Sequence, residues 1–77
     1  MKVRVNTFAN LRDYAPPGEG SVELSLADGA SVADLLAALQ IPAAVEAVIL
    51  VNGRRADAAS RLKNGDDVTL FPPMEGG

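Results

Sequence analysis

The sequence contains no cysteine and no histidine among its 77 residues. Without cysteine, the chain cannot form disulfides, ligate iron–sulfur clusters, hold zinc through thiolates or use a cysteine nucleophile. Without histidine, it lacks the commonest general base and the commonest transition-metal ligand. Neither a Walker A phosphate loop nor a dinucleotide-binding glycine fingerprint is present. These absences leave few residues from which a catalytic or metal site could be built.

Charge and hydropathy narrow the expected partners and location. The formal net charge is −3, and net acidity argues against nucleic acid or an anionic membrane, which are bound through clustered Lys and Arg. No run of about 18 apolar residues is present. The N-terminus passes directly into a strand-like pattern rather than a signal peptide. We therefore expect one small cytoplasmic domain without a nucleic-acid or membrane partner.

Alternation of polar and apolar residues predicts strands, because successive side chains of a strand point to opposite faces. Three segments show this pattern: residues 2–8, 21–26 and 67–71. In the first segment, Val3 and Val5 share the face that we expect to be buried. In the last segment, Val68 and Leu70 share one face and Phe71 falls on the other.

One helix is predicted with a defined start. Ser31 and Asp34 have the spacing of a capping box, in which each side chain bonds to the backbone N–H of the other residue. The residues that follow form one apolar stripe, which we expect to be buried: Val32, Leu35, Leu36 and Leu39. Pro42 prevents the helix from running much further.

A hairpin is predicted after the helix. Residues 48–51 form a continuous apolar run, typical of a strand buried on both faces or nearly so. The pair Asn52–Gly53 is the strongest short-range hairpin signal, so we expect Arg54 and Arg55 to begin the return strand.

Two groups of like charge have plain structural interpretations. Basic residues are concentrated around the hairpin: Arg54, Arg55, Arg61 and Lys63. They indicate a solvated edge whose charges deter pairing with another chain, or alternatively a docking patch for an acidic partner. The only adjacent acidic pair, Asp66 and Asp67, points to opposite faces of a strand and indicates a solvated turn rather than a shared site.

The order strand, strand, helix, strand, short strand, strand predicts an α+β fold of the β-grasp, ubiquitin-like type. We expect a mixed four- to five-stranded sheet with one main helix packed on one face. The N-terminal and C-terminal strands should lie side by side and parallel at its centre, joined by a right-handed crossover. The predicted division is a β-grasp domain over residues 1–71 and a flexible tail over residues 72–77.

The tail is the feature with a chemical mechanism. Pro72 and Pro73 form a stiff stem that leads away from the last strand. Gly76 and Gly77 have no side chains, so such an end can enter a narrow channel and expose its carboxylate from any side. The alternative interpretation is an ordinary frayed terminus.

Combined with other motifs, the tail resembles that of one protein family. The motifs are Phe-Ala-Asn-Leu-Arg at residues 8–12, Val-Asn-Gly at 51–53, Leu-Lys-Asn-Gly-Asp-Asp-Val at 62–68 and Phe-Pro-Pro-Met-Glu-Gly-Gly at 71–77. Over essentially its whole length, the chain resembles the MoaD/ThiS family of ubiquitin-like sulfur carriers. The paired prolines make its ending more similar to the molybdopterin synthase small subunit than to the thiamin carrier.

The resemblance implies a carrier that is not itself an enzyme and binds no cofactor. In that family, a ubiquitin-activating-enzyme-like adenylyltransferase uses ATP to adenylate the terminal carboxylate, here that of Gly77 after Gly76. Sulfur then displaces AMP to give a thiocarboxylate. The molybdopterin synthase large subunit uses this sulfur on a pterin precursor of the molybdenum or tungsten cofactor.

The resemblance also implies a docking surface around the root of the tail. The family positions that match Phe8 and Phe71 belong to an apolar docking surface, beside Pro72 and Pro73. Strand alternation agrees for Phe71, whereas Phe8 could instead close the end of the core. The sequence departs from the family at Arg55, where a relative carries an apolar docking residue, so its partner could differ from the usual large subunit.

Other functions remain open at this point. The sulfur acceptor could be thiamin thiazole, an amino acid or a tRNA base. A protein modifier whose Gly77 becomes joined to lysines needs the same tail but a different acceptor. A β-grasp binding module without tail chemistry, or an enzyme, is a further alternative, and a binding module would tolerate a C-terminal extension.

Overall fold

The computed structural model describes residues 1–8, 21–42 and 45–73. These residues form five strands and one helix: β1 (Lys2–Thr7), β2 (Ser21–Ser25), α1 (Val32–Ala38), β3 (Val48–Val51), β4 (Arg54–Ala56) and β5 (Asp67–Phe71). The sheet order is β2-β1-β5-β3-β4. Strands β1 and β5 are parallel, and the other neighbours are antiparallel. The predicted β-grasp arrangement, with the two terminal strands paired in parallel, is therefore confirmed.

The predicted Gly76–Gly77 end lies outside the described residues. Strand β5 ends at Phe71, and the division of the chain into a domain and a tail at residue 72 stays a prediction.

The core lies between α1 and one face of the sheet, which we call the inner face. Val3 and Val5 from β1 and Val68 and Leu70 from β5 are at most 1% exposed, as their alternation predicts. These four side chains belong to one buried cluster, to which the helix, the strands and the loops contribute. Its members are Val3, Val5, Val32, Leu35, Leu39, Ile41, Ile49, Leu62, Val68 and Leu70.

Helix α1 begins with the predicted capping box. The backbone N–H of Ser31 donates to Asp34 Oδ2 at 2.9 Å, and the N–H of Asp34 donates to Ser31 Oγ at 3.4 Å. The helix ends with a Schellman motif, because Gln40 adopts a left-handed φ of 60° while the N–H of Ile41 bonds to the carbonyl of Leu36 at 3.0 Å. The helix is thus closed before Pro42 is reached.

One residue of the predicted helical stripe is not a core residue. Leu35 is 0% exposed, whereas its neighbour Leu36 is half-buried. Leu36 lines an apolar groove with Ile41, Pro42 and Val45. The expectation that Leu36 is buried is therefore wrong, since the apolar stripe of α1 is wider than the part of the helix that the sheet covers.

The expectation for the apolar run at residues 48–51 is also wrong. Within β3, Ile49 is buried, but Val48, Leu50 and Val51 are only half-buried. Ile49 points to the inner face opposite Leu70. Val48 and Leu50 point to the opposite face, and no element in the described part of the chain packs over it.

The predicted hairpin between β3 and β4 is confirmed. Asn52 and Gly53 have φ angles of 53° and 84°, the left-handed pair of a type I′ turn. Arg54 and Arg55 then pair with Val51 and Leu50. Because β4 is the last strand of the sheet, its other edge is unpaired within the described residues.

Candidate docking site

The face of the sheet opposite α1, which we call the outer face, brings Phe8 and Phe71 together. Thr7 pairs with Leu70 in parallel register, and the N–H of Phe8 donates to the carbonyl of Leu70 at 3.1 Å. Each phenylalanine follows an inner-face residue, so alternation places both on the outer face, Phe71 at the end of β5 and Phe8 directly after β1. Phe8 is 52% exposed and Phe71 is half-buried. The alternative that Phe8 closes the core is wrong.

The apolar surface continues onto β3. Val48 pairs with Phe71, and Leu50 pairs with Thr69 on the same face. We call Phe8, Val48, Leu50 and Phe71 the apolar patch. None of the four is buried by the chain itself: Phe8 is exposed and the other three are half-buried. A contiguous apolar group at a protein surface is typical of a docking surface.

Pro72 and Pro73 follow the patch directly. Both are half-buried and lie outside any strand. Neither has a backbone N–H, so the ladder of β5 cannot continue through them. The chain therefore leaves the sheet next to Phe71, and the patch lies at the root of the segment that ends in Gly76–Gly77.

Arg55 borders the patch on the edge strand. It pairs with Leu50, which places both residues on the outer face, and its side chain is exposed. The structure thus brings Phe8, Phe71 and Arg55 onto one surface, as the resemblance implies. Their role in docking stays a prediction.

The other end of the outer face is polar and internally paired. Asn6 Nδ2 donates to Asp67 Oδ1 at 2.9 Å, and Lys2 Nζ lies 3.6 Å from Glu23 Oε1. Arg4 lies between Glu23 and Asp67 in the strand registers. The outer face is therefore divided into a charged end and an apolar end along the same strands.

Asp66 belongs to a structural network that the sequence analysis missed. It is only 9% exposed, and its carboxylate accepts from Asn52 Nδ2 at 2.9 Å and from the N–H of Lys63 at 2.7 Å. Asn52 Oδ1 in turn accepts from the N–H of Asp67 at 2.9 Å. The prediction of a solvated turn is wrong for Asp66, which ties the hairpin to the start of β5. The sequence shows Asn-Gly at residues 52–53 and Asn-Gly-Asp at residues 64–66. It does not show that the two turns are in contact.

Residues 1–8, 21–42 and 45–73 show no cluster of three or more carboxylates that could hold a metal ion. In the same residues, no helix has the length and apolar character needed to span a membrane. The terminal Gly76 and Gly77 lie outside the described residues, so their role rests on the sequence.

Solved structures that are similar to the chain include the following two. The small archaeal modifier protein 1 of Haloferax volcanii superposes with a TM-score of 0.79 at 25% identity, over 95% of this chain and 98% of that one. A chain from the complex of subunits 1 and 2 of the molybdopterin-converting factor of Helicobacter pylori matches with a TM-score of 0.65 at 26% identity. The match covers 100% of the present chain and 100% of that chain.

Sequence comparison places the chain among the sulfur carriers. It is 38% identical to the molybdopterin synthase sulfur carrier subunit of Chlamydomonas reinhardtii, over 100% of both chains. The model of the ThiS family matches residues 5–77. The match includes the apolar patch, the Asn52–Asp66 network and the Gly-Gly end. The chain therefore belongs to the ThiS family of small ubiquitin-like sulfur carriers.

Proposed function

We propose that this protein carries sulfur as a thiocarboxylate on Gly77 for the synthesis of molybdopterin. The observation that carries the proposal is the position of the apolar patch at the root of a segment that ends in Gly-Gly. The patch gives partner enzymes a surface to recognise, and the segment beyond Pro73 supplies the reacting carboxylate. The full-length identity of 38% to a molybdopterin synthase sulfur carrier subunit supports this acceptor.

The proposed chemistry needs no catalytic group on the carrier. A carboxylate is a poor electrophile, and attack of its oxygen on the α-phosphate of ATP releases pyrophosphate and gives an acyl adenylate. A sulfur nucleophile supplied by the activating system then attacks the carbonyl carbon, and AMP leaves with the C–O electron pair. Gly77 has no Cβ to obstruct either attack. The ATP-dependent step belongs to an adenylyltransferase partner.

The second proposed partner is the large subunit of molybdopterin synthase. The Helicobacter pylori complex shows subunits 1 and 2 of its converting factor bound together. In the present chain, the surface available for such an encounter is the apolar patch with Pro72, Pro73 and Arg55. Docking there would leave the segment after Pro73 next to the partner. Four extended residues span about 12–14 Å.

A change at Gly77 tests the carrier proposal. Deletion of Gly77, or addition of one residue after it, should abolish adenylation, measured as exchange of pyrophosphate into ATP with the activating enzyme. The melting temperature should not change, because no core residue is affected. A Gly77→Ala variant keeps the length and the carboxylate but adds a Cβ, and should react more slowly. Normal activation after removal of Gly77 would contradict the proposal.

A protein modifier is the second candidate, favoured by the similarity to the small archaeal modifier protein 1 of Haloferax volcanii. The two functions differ in the fate of Gly77. Intact mass of the protein isolated from its own cells should show sulfur in place of oxygen at the C-terminus for a sulfur carrier. An isopeptide between Gly77 and a lysine, found by peptide mass spectrometry, would support the modifier.

A further inference from the structure

The two exposed arginines of the outer face have different electrostatic surroundings. Arg4 lies on β1, with Glu23 beside it on β2 and Asp67 beside it on β5. Arg55 lies on the edge strand β4, where its cross-strand neighbour is Leu50. Arg4 therefore has an acidic residue as its neighbour on each adjacent strand, whereas Arg55 borders an apolar surface.

Six of the seven carboxylates of the described residues have partners at other places on the molecule: Glu23 with Lys2, Asp28 with the Met1 ammonium, Asp34 with Ser31, Asp57 with Ser60, Asp66 with Asn52, and Asp67 with Asn6. The seventh, Glu46, is exposed and forms no ion pair within these residues. Among residues 1–8, 21–42 and 45–73, no carboxylate lies within ion-pair distance of Arg55. Within the described part of the chain, its guanidinium therefore has hydrogen-bond donors available to a partner.

Arg55 is close enough to the apolar patch to share its partner. It is two strand spacings across the sheet and two residues along the strand from Phe71, which corresponds to about 12 Å. A standard interface covers roughly 800 Å² on each side, a footprint wider than this separation. A protein that covers Phe71 and Leu50 will therefore cover Arg55 and remove water from its guanidinium.

A guanidinium that loses water without gaining a counter-charge weakens binding, and arginine pairs best with a carboxylate in a bidentate geometry. We propose that the large synthase subunit presents an Asp or Glu side chain to Arg55, and that this pair selects the cognate partner. The inference rests on the docking role given to the apolar patch under the proposed function. On this inference, Arg55 selects the partner and is not merely a charged residue that interrupts the apolar docking surface.

The neighbouring Arg54 provides a matched control. It is exposed on the same strand, but it pairs with Val51, which lies opposite the inner-face residue Val68. Adjacent strand residues point to opposite faces, so Arg54 does not face the apolar patch. Substitution of either arginine by Glu changes the net charge equally.

The experiment measures binding of the full chain to the large synthase subunit of the same organism by calorimetry. Arg55→Glu should weaken binding by at least about 30-fold and Arg55→Leu by about tenfold, because a covered charge pair is lost. Arg54→Glu should change the affinity by less than about threefold, as rim charges do. Binding of the Arg55→Leu variant should also depend less on salt than wild type. Substitution of one partner carboxylate by Lys should restore binding of Arg55→Glu.

Melting curves on the same samples show that each variant is folded, as expected for exposed positions. If Arg55→Leu binds as tightly as wild type, or if Arg54→Glu and Arg55→Glu weaken binding equally, the inference is overturned while the proposed function stands. If the wild-type chain does not bind the large subunit, both are overturned.

Discussion

The inner and outer faces of the same sheet differ in burial and in composition. On the inner face, Val5 and Leu70 are 0% exposed and pack against α1. On the outer face, the same strands carry the charged pair of Lys2 and Glu23 at one end and Phe8 at the other. Because strand residues alternate in direction, neighbouring positions lie in the core and on the proposed docking surface, respectively. The comparison teaches that substitutions one residue apart should affect different measurements.

The largest expected effect is on the inner face. Leu35→Ala should lower the free energy of unfolding by about 2–5 kcal/mol, because it removes a fully buried side chain and leaves a cavity. Leu36→Ala, a matched truncation one residue away, should cost only about 1 kcal/mol because Leu36 is half-buried. Denaturant unfolding of both variants measures the difference. Equal losses would show that the groove beside Leu36 is part of the core.

A smaller effect on the outer face should appear in binding instead of folding. Phe71→Ala should weaken binding to the activating enzyme by about 1–3 kcal/mol, as loss of an aromatic interface anchor often does. Its cost in stability should be about 1 kcal/mol, since the ring is half-buried by the monomer. Leu36→Ala, on the helix side of the molecule, serves as the control for binding. A Phe71→Ala variant that melts far below wild type yet binds normally would reverse the assignment of the two faces.

The smallest predicted effect is a gain in stability at the polar exception on the inner face. Thr7 is 2% exposed, and its Oγ1 has no hydrogen-bond partner among the described residues. Thr7→Val keeps the shape and removes the unsatisfied hydroxyl, so stability should rise by about 1 kcal/mol. Thr69→Val on the outer face is the control, with little expected change. Loss of stability in Thr7→Val would mean that the hydroxyl has a partner.

The parts of the fold that depend on local sequence were predictable. Ser31 and Asp34 specify the helix start by direct mutual bonds, and Asn52–Gly53 specifies a turn that few other pairs adopt. The alternation around Val3 and Val68 defines which face of each strand is buried. The proximity of Phe8 to Phe71 followed from the parallel pairing of the terminal strands. All of these predictions except the last needed no information on distant parts of the chain.

The errors concern burial that depends on distant neighbours. Leu35 and Leu36 are equivalent in the helical stripe, and only the position of the sheet distinguishes them. Asp66 is buried because Asn52, 14 residues away, donates to its carboxylate. Residues 48–51 look like an internal strand from their composition, but their outer side chains form part of the apolar patch. An apolar run can indicate a partner surface as well as a core.

The paired prolines after Phe71 have a consequence for how the chain can change. Pro72 and Pro73 have no backbone N–H, so neither can donate a hydrogen bond that would extend the ladder of β5. Pairing of β5 therefore cannot extend regularly through Pro72 and Pro73, whatever residues follow them. We expect a different segment after Pro73 to leave the pairing of β5 with β1 and β3 unchanged.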